Sequence, residues 1–181
     1  MDELEILSGH IKKRNEIEEE ISRIIRRPAE KGHITEFVAS KIFSIKLNDN
    51  ASKTGYDGKF QSGKLKGKKV DIKYHAVNEH LLNLNPNIEE EVYLLVFTGQ
   101  YRNAGTSKGE VRPYCISNVY LFNEGELCNK LRGKVKIGVA TSVKKGFWDE
   151  SVIYPENTNQ QLFLNEEQHS LLQKFACTEV S

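Results

Sequence analysis

The stretch "GYDGKFQSGKLKGKKVDIKYH" occupies residues 55–75 and decides the fold that the rest of the sequence can adopt. Segments 55–60 and 68–77 have the composition of short strands, and the glycine- and lysine-rich segment 61–67 between them favours an antiparallel hairpin. The next segment, "EEVYLLVFTG" at 90–99, is almost continuously apolar, which is typical of a strand covered on both faces. We therefore predict that segment 90–99 is a central strand of the sheet.

Helical patterns precede the hairpin, and mixed elements follow the central strand. Apolar residues recur at helical spacing from residue 2 to about 27, which predicts one or two amphipathic helices, with a possible break at Ser8-Gly9. The segment 32–47 predicts a second helix with two contact faces, one of which carries Glu36. The later predicted elements are a strand at 111–122, a short helix at 123–133, a strand at 134–143 and a closing helix at 165–176. This order predicts an α/β or α+β sandwich in a single domain over residues 1–181, with 1–28 as a helical extension.

Length and composition fit a globular chain without membrane segments. The 181 residues suffice to bury a core, and the formal charge of +1 means that affinity for a polyanion must come from local clusters of charge. No apolar run is long enough to cross a bilayer, and the N-terminal segment is too acidic for a secretory signal, so we predict a cytoplasmic protein. Cys115, Cys128 and Cys177 are odd in number and widely spaced, and we expect them to be reduced and buried.

Asp57, Asp71 and Lys73 are the residues of this hairpin that could carry chemistry. Side chains alternate along a strand, so Asp71 and Lys73 point to the same face. If the two strands pair, Asp57 can approach Asp71, and two carboxylates that close repel each other unless a cation lies between them. Carboxylate oxygens suit Mg²⁺, which keeps several waters and leaves room for a phosphate oxygen. Lys73 beside such a metal could stabilise charge on a phosphate or help to deprotonate a water molecule.

A cluster of lysines surrounds the hairpin loop next to this predicted metal site. Phosphates of a nucleic acid would pass there, and we predict contacts to DNA from Lys59, Lys64, Lys66, Lys68 and Lys69. Lysine and glycine are also frequent in exposed turns, so a solvated loop is the alternative.

The helix with Glu36, "YDG" around Asp57 and "VDIK" at 70–73 resemble the PD-(D/E)-x-K nuclease superfamily, which includes many restriction endonucleases. The resemblance covers roughly residues 30–100 and implies a restriction-endonuclease-like sandwich, a central mixed sheet flanked by helices. It also implies that Asp57, Asp71 and the carbonyl of Ile72 bind Mg²⁺, with Mn²⁺ as a substitute. Lys73 would be the catalytic lysine, and Glu36 a helper that orients water or a second metal. Tyr56 stands where the family's name-giving proline would be.

Each of these residues also has an ordinary structural explanation. Asp57-Gly58 is a common turn dipeptide, and Asp71 with Lys73 could form a solvated strand face. Glu36 would be favourable near a helix N-terminus without any functional role. His75 is a neighbour of the predicted site, and a zinc pair with His80 is not expected. Aromatic residues at 147–154 could stack on a nucleobase but are more often part of a core.

The sequence thus predicts a Mg²⁺-dependent endonuclease that hydrolyses DNA. One alternative is a catalytically inactive module of the same fold that binds DNA or a protein. A second alternative is an unrelated α/β protein in which Asp57, Asp71 and Lys73 do not converge. The N-terminal helices could form a homodimer interface or pack on the chain's own sheet.

Overall fold

The computed structural model describes residues 2–49, 55–87, 91–100 and 111–177. The helices in these ranges are α1 (Glu3–Ile25), α2 (Lys31–Ile42), α3 (Glu124–Leu131), α4 (Lys145–Asp149) and α5 (Glu166–Gln173). The strands are β1 (Ile45–Leu47), β2 (Gly58–Phe60), β3 (Lys69–His75), β4 (Leu81–Leu82), β5 (Val92–Thr98), β6 (Asn118–Asn123), β7 (Thr141–Ser142) and β8 (Val152–Tyr154). The chain is therefore a mixed α/β protein, as predicted.

A six-stranded mixed sheet in the order β1-β2-β3-β5-β6-β8 forms the centre of the structure. The predicted hairpin is present, because β2 pairs with β3 antiparallel, and β1 adds to its outer edge. Strand β5 lies parallel to β3 and antiparallel to β6, and all seven of its residues are buried. Its predicted central position is confirmed. Strands β4 and β7 form a separate two-stranded sheet.

Two apolar clusters cover the two faces of the central sheet. On one side, which we call the α2 face, Val70 and Ile72 of β3 pack with residues of α2 and α5. On the other side, which we call the α3 face, Leu94 and Val96 of β5 pack with residues of α3 and with Trp148 of α4. Alternation along β3 places Lys69, Asp71, Lys73 and His75 on the α3 face.

Helix α1 is continuous through Gly9, so of the two alternatives the single helix is confirmed and the possible break at Ser8-Gly9 is absent. It begins after Asp2, whose side chain accepts a hydrogen bond from the N–H of Leu4 at 3.3 Å. It ends at Ile25, and the next residue, Arg26, lies in the left-handed region. None of its residues is buried. Its large apolar side chains are exposed: Leu4, Ile6, Leu7, Ile11, Ile17 and Ile24.

Three predicted elements have clearly different bounds in the structure, and the first is the strand predicted for 111–122, which begins only at Asn118. The other two are interrupted by residues with positive φ. The helix predicted for 32–47 ends at Ile42, and Ser44 adopts a positive φ of 51° that turns the chain into β1. The strand predicted for 134–143 is reduced to Thr141–Ser142, because Gly138 and Ala140 also have positive φ values. In both places a left-handed residue interrupts the regular pattern.

The prediction that the cysteines are reduced is wrong for two of them. Cys115 and Cys177 form a disulfide, while Cys128 is free and buried as expected. Within the described ranges, no helix combines the length and the apolar character that a membrane span requires.

Candidate active site

Asp57 is held in place by main-chain hydrogen bonds on both sides. Its N–H donates to the carbonyl of Val70 at 2.9 Å, and its carbonyl accepts from the N–H of Asn48 at 2.8 Å. The next residue, Gly58, lies in β2 between two neighbouring strands, and a Cβ there would be 2.5 Å from the carbonyl oxygen of Lys46. The Asp57-Gly58 dipeptide is therefore not the hairpin turn. Glycine is needed at position 58 for the close approach of β1.

The Asp57 carboxylate reaches over β3. Its Oδ2 accepts a hydrogen bond of 2.6 Å from the N–H of Ile72. The N–H and C=O groups of one residue in a strand point to the same side, so the carbonyl of Ile72 is directed to the same edge of β3. This arrangement brings one carboxylate and one main-chain oxygen to the place where the pairing of β2 with β3 ends.

Asp71 and Lys73 form an ion pair on the α3 face. The Nζ of Lys73 donates to Oδ1 of Asp71 at 2.7 Å, and their side chains are 38% and 19% exposed, respectively. Both groups can therefore be reached from solvent, although the carboxylate is largely enclosed.

Together with burial, the Asp57 carboxyl acts on the carboxyl of Asp71 and raises its pKa. Burial raises the pKa of Asp71 to about 7; the ammonium of Lys73 opposes this shift, and the Asp57 carboxyl adds to it. A hydrogen bond between two carboxyl groups requires a proton on one of them, and a cation could take the place of that proton. The structure thus brings together Asp57, Asp71 and Lys73.

Glu36 occupies a different place in the fold. Helix α2 packs on the α2 face, opposite to Asp71 and Lys73, and the Glu36 carboxylate forms an ion pair with Arg27 just after α1. The role of Glu36 as a helper at a metal stays a prediction. It would require the release of this carboxylate from Arg27.

The five predicted DNA-contacting lysines have different surroundings. Lys68 forms an ion pair with Glu91, and Lys64 donates to the carbonyl of Gln160 at 3.3 Å. Lys69 lies over the ring of Tyr56, with Nζ 4.8 Å from the centroid. The remaining two, Lys59 and Lys66, are exposed.

The aromatic candidates and His80 are placed as ordinary structural residues. Trp148 is 1% exposed and Tyr154 is also buried, which confirms the core interpretation of these aromatic residues. His80 packs against Trp148, with ring centroids 5.8 Å apart. His75 shares the α3 face with Lys73, and burial lowers the pKa of its imidazole.

A buried carboxyl that the sequence analysis did not single out also lies near Lys73. Glu124, the first residue of α3, is 5% exposed and accepts a hydrogen bond from the N–H of Asn85 at 2.7 Å. Burial raises the pKa of Glu124, and the charge of Lys73 opposes that rise. Its position at the start of a helix directly after β6 gave no signal of burial in the sequence.

The oxygen atoms of Asp57, Asp71 and Ile72 are of the kind that a magnesium ion prefers. In the described part of the chain, no group of three or more histidine, cysteine, aspartate or glutamate side chains could hold a metal. A cation beside Asp57 and Asp71 would have two carboxylates and the main-chain oxygen of Ile72, with water completing its shell. Mg²⁺ is commonly bound in this way, through one or two carboxylates and several waters.

Comparisons with protein-family models and with curated protein sequences find no match for this chain. The function must therefore be argued from the chemistry of the site.

Proposed function

We propose that the protein is a metal-dependent endonuclease that hydrolyses DNA phosphodiester bonds. The observation that carries this proposal is the meeting of Asp57, Asp71 and Lys73 at one end of the β2–β3 pairing, with a solvent-accessible ammonium beside two carboxyl groups. A solvated strand face does not require two carboxyl groups to approach each other, because that contact is unfavourable without a proton or cation. The PD-(D/E)-x-K resemblance of the sequence points to the same chemistry.

Each residue has a distinct task in this proposal. Asp57, Asp71 and the carbonyl of Ile72 would hold Mg²⁺, or Mn²⁺ in its place. The bound ion would lower the pKa of a water molecule and neutralise charge on the phosphate. Lys73 supplies three donors that can hold a phosphate oxygen or the attacking water, and its contact with Asp71 keeps the ammonium at the site.

DNA cleavage by the purified protein is the direct test. Supercoiled plasmid, single-stranded DNA and branched DNA would each be incubated with protein and Mg²⁺, Mn²⁺ or EDTA. We expect cleavage with either metal and none with EDTA. Asp71→Asn protein prepared in parallel controls for contaminating nucleases, and equal cleavage by this variant would contradict the proposal. Metal-independent DNA binding without cleavage of any substrate would instead favour the inactive binding module.

Besides DNA, we propose a second copy of the chain as a partner, in a homodimer formed through α1. Its support is the set of exposed apolar residues on a 23-residue helix none of whose residues is buried, among which Ile6, Ile17 and Ile24 share one side of the helix. Light scattering with Ile6→Gln/Ile17→Gln protein tests this proposal, because loss of these apolar groups should shift a dimer towards monomer. A wild-type mass equal to that of the 20.7 kDa chain at all concentrations would contradict it.

We further propose that the protein acts in the cytoplasm, where an endonuclease of cellular DNA meets its substrate. The disulfide of Cys115 with Cys177 weighs against this location, since such bonds are rare in reducing compartments. Thiol labelling of protein trapped directly from cells would determine the state of this pair in the cell.

A further inference from the structure

Three lysines stand side by side across the first three strands of the sheet. The strand register places Lys46 of β1 directly opposite Lys59 of β2, and Lys59 directly opposite Lys69 of β3. Residues paired in this way across neighbouring strands project to the same face of the sheet. We call Lys46, Lys59 and Lys69 the lysine row.

The lysine row lies on the same face as the candidate active site. Lys69 and Asp71 are two residues apart on β3, so their side chains leave that strand on one side. Ile45 and Phe60, which neighbour the row on β1 and β2, are buried in the cluster on the α2 face. The row consequently begins at the sheet edge and leads to Asp71.

Within the described ranges, this half of the α3 face lies outside the apolar cluster. The apolar cluster on that face consists of residues from β5 and β6 and from the elements that pack on them, and it includes none from β1, β2 or β3. Lys46 and Lys59 are both exposed. Among the described residues, the apolar cluster does not cover Lys46 or Lys59, so this half of the sheet presents a positively charged surface beside the site.

Like charges directly opposite each other destabilise a sheet, so the pair of Lys46 and Lys59 is unfavourable in the isolated protein. In the described part of the chain, neither Lys46 nor Lys59 forms an ion pair with an acidic residue, whereas the loop residue Lys68 pairs with Glu91. An external polyanion would relieve this repulsion.

We propose that the lysine row is the track on which one strand of the DNA backbone lies as it enters the site. Its connection to cleavage rests on the function proposed above. Two inter-strand spacings of about 4.8 Å give the row a length of about 9.5 Å. This length is sufficient to contact neighbouring phosphates of one strand. The loop lysines Lys64, Lys66 and Lys68 lie outside this track.

Equilibrium binding in EDTA tests the track separately from catalysis. The probes are a fluorescein-labelled single-stranded 20-mer and the corresponding duplex, with anisotropy measured from 50 to 300 mM salt. We expect Lys46→Gln/Lys59→Gln protein to bind more weakly and to lower the slope of log affinity against log salt by about 1.4 for the single strand, because two phosphate contacts are lost. The matched control, Lys12→Gln/Lys13→Gln on exposed α1, removes the same charge away from the row.

The outcomes separate the track from the nuclease. An unchanged salt slope in the row variant, together with metal-dependent cleavage by the wild type, would overturn the proposed track. The proposed nuclease function would then be unaffected. If the wild type binds DNA more tightly than the row variant but never cleaves it, the result would support the track and contradict the nuclease function. Equal competition by polyglutamate, with the same dependence on the row, would overturn the assignment to nucleic acid in favour of an acidic protein partner. Thermal unfolding of the row variant provides a folding control, and relief of like-charge repulsion should leave its Tm equal or higher.

Discussion

The carboxylate of Asp57 accepts a 2.6 Å hydrogen bond from the main-chain N–H of Ile72. A candidate metal ligand is therefore also the partner of a strand N–H group that β2 does not reach. The position of this carboxylate is fixed before any metal binds, and its structural role and its binding role can be separated by substitution.

We expect Asp57→Asn and Asp57→Ala to differ in stability but not in activity. Asparagine keeps an oxygen acceptor for the N–H of Ile72, so this variant should fold normally. Alanine leaves the N–H without that acceptor, which should lower the free energy of unfolding by about 1–3 kcal/mol. Both variants lack a ligand charge and should lose Mg²⁺ binding and cleavage. Urea denaturation with calorimetric Mg²⁺ titration measures the two effects, and normal metal affinity in Asp57→Asn protein would argue against a ligand role.

Lys73→Ala should strongly reduce cleavage and leave Mg²⁺ binding largely in place. The lysine supplies no ligand oxygen, but its Nζ lies 2.7 Å from Asp71 and can reach a phosphate beside it. We expect a fall in turnover of about 10²–10³-fold, as for the loss of other donors that stabilise charge in a transition state. Single-turnover kinetics at saturating Mg²⁺ would measure this change. Lys145→Ala, which removes an exposed lysine paired with Asp149 on α4, is the matched control.

Metal-free protein should lose stability as the pH rises from about 4 to about 7. The pKa of Asp71 is raised from 3.8 to about 7 by burial, with a further contribution from Asp57. Between these values the native state binds more protons than the unfolded state, so the free energy of unfolding decreases with rising pH. The stabilisation is complete below the ordinary pKa and is lost as the pH passes through about 7. Denaturation in EDTA at several pH values measures this slope.

Asp71→Asn provides the control for that pH dependence. The variant has no carboxyl at position 71, so its stability should vary less over the same range. Identical slopes for wild type and variant would show that another group is responsible. In the wild type, Mg²⁺ affinity should also rise through pH 7, because the metal and the proton compete for the same carboxyl.

Gly58→Ala should destabilise the protein and displace β1. The added Cβ would lie 2.5 Å from the carbonyl oxygen of Lys46 and 2.8 Å from Cγ2 of Ile45, and the first of these is main chain that cannot move without its strand. We expect a loss of about 1–3 kcal/mol in the free energy of unfolding. Gly9→Ala in α1 meets nothing within 4 Å and should instead stabilise by up to about 1 kcal/mol. Thermal denaturation of both variants checks the opposite signs.

The sequence predicted the hairpin and the central strand because their signals are local. The run at 92–98 is apolar at every position except Thr98, and the D-x-K spacing fixes a shared face through alternation alone. The approach of Asp57 to Asp71 needed only the pairing of two neighbouring segments. These features lie close together in the chain, so little depends on tertiary packing.

Features that depend on packing were not predictable in the same way. Ile45 fits the apolar face of a continued α2 helix, and only the pairing of Ile45 with Phe60 makes β1 a strand. For this reason the sequence did not indicate that Lys46 lies beside the lysines of the hairpin. Helical periodicity placed Glu36 on α2 but could not determine on which face of the sheet that helix packs. The disulfide likewise joins cysteines 62 positions apart, which spacing alone cannot pair.

Strand β3 is paired unequally with its two neighbours. It is in register with β5 over its whole length, from Lys69 to His75, but with β2 only at Lys69 and Val70. Amide hydrogens on the β5 side should exchange with solvent only through global unfolding, while those of β1 and β2 exchange through local opening. Asp71 and Lys73 belong to the slowly exchanging part of the sheet, and Asp57 belongs to the part that opens first. A DNA strand held across both parts would slow amide exchange in β1 and β2 and leave the exchange rates of β5 unchanged. Exchange rates would therefore show where the substrate lies.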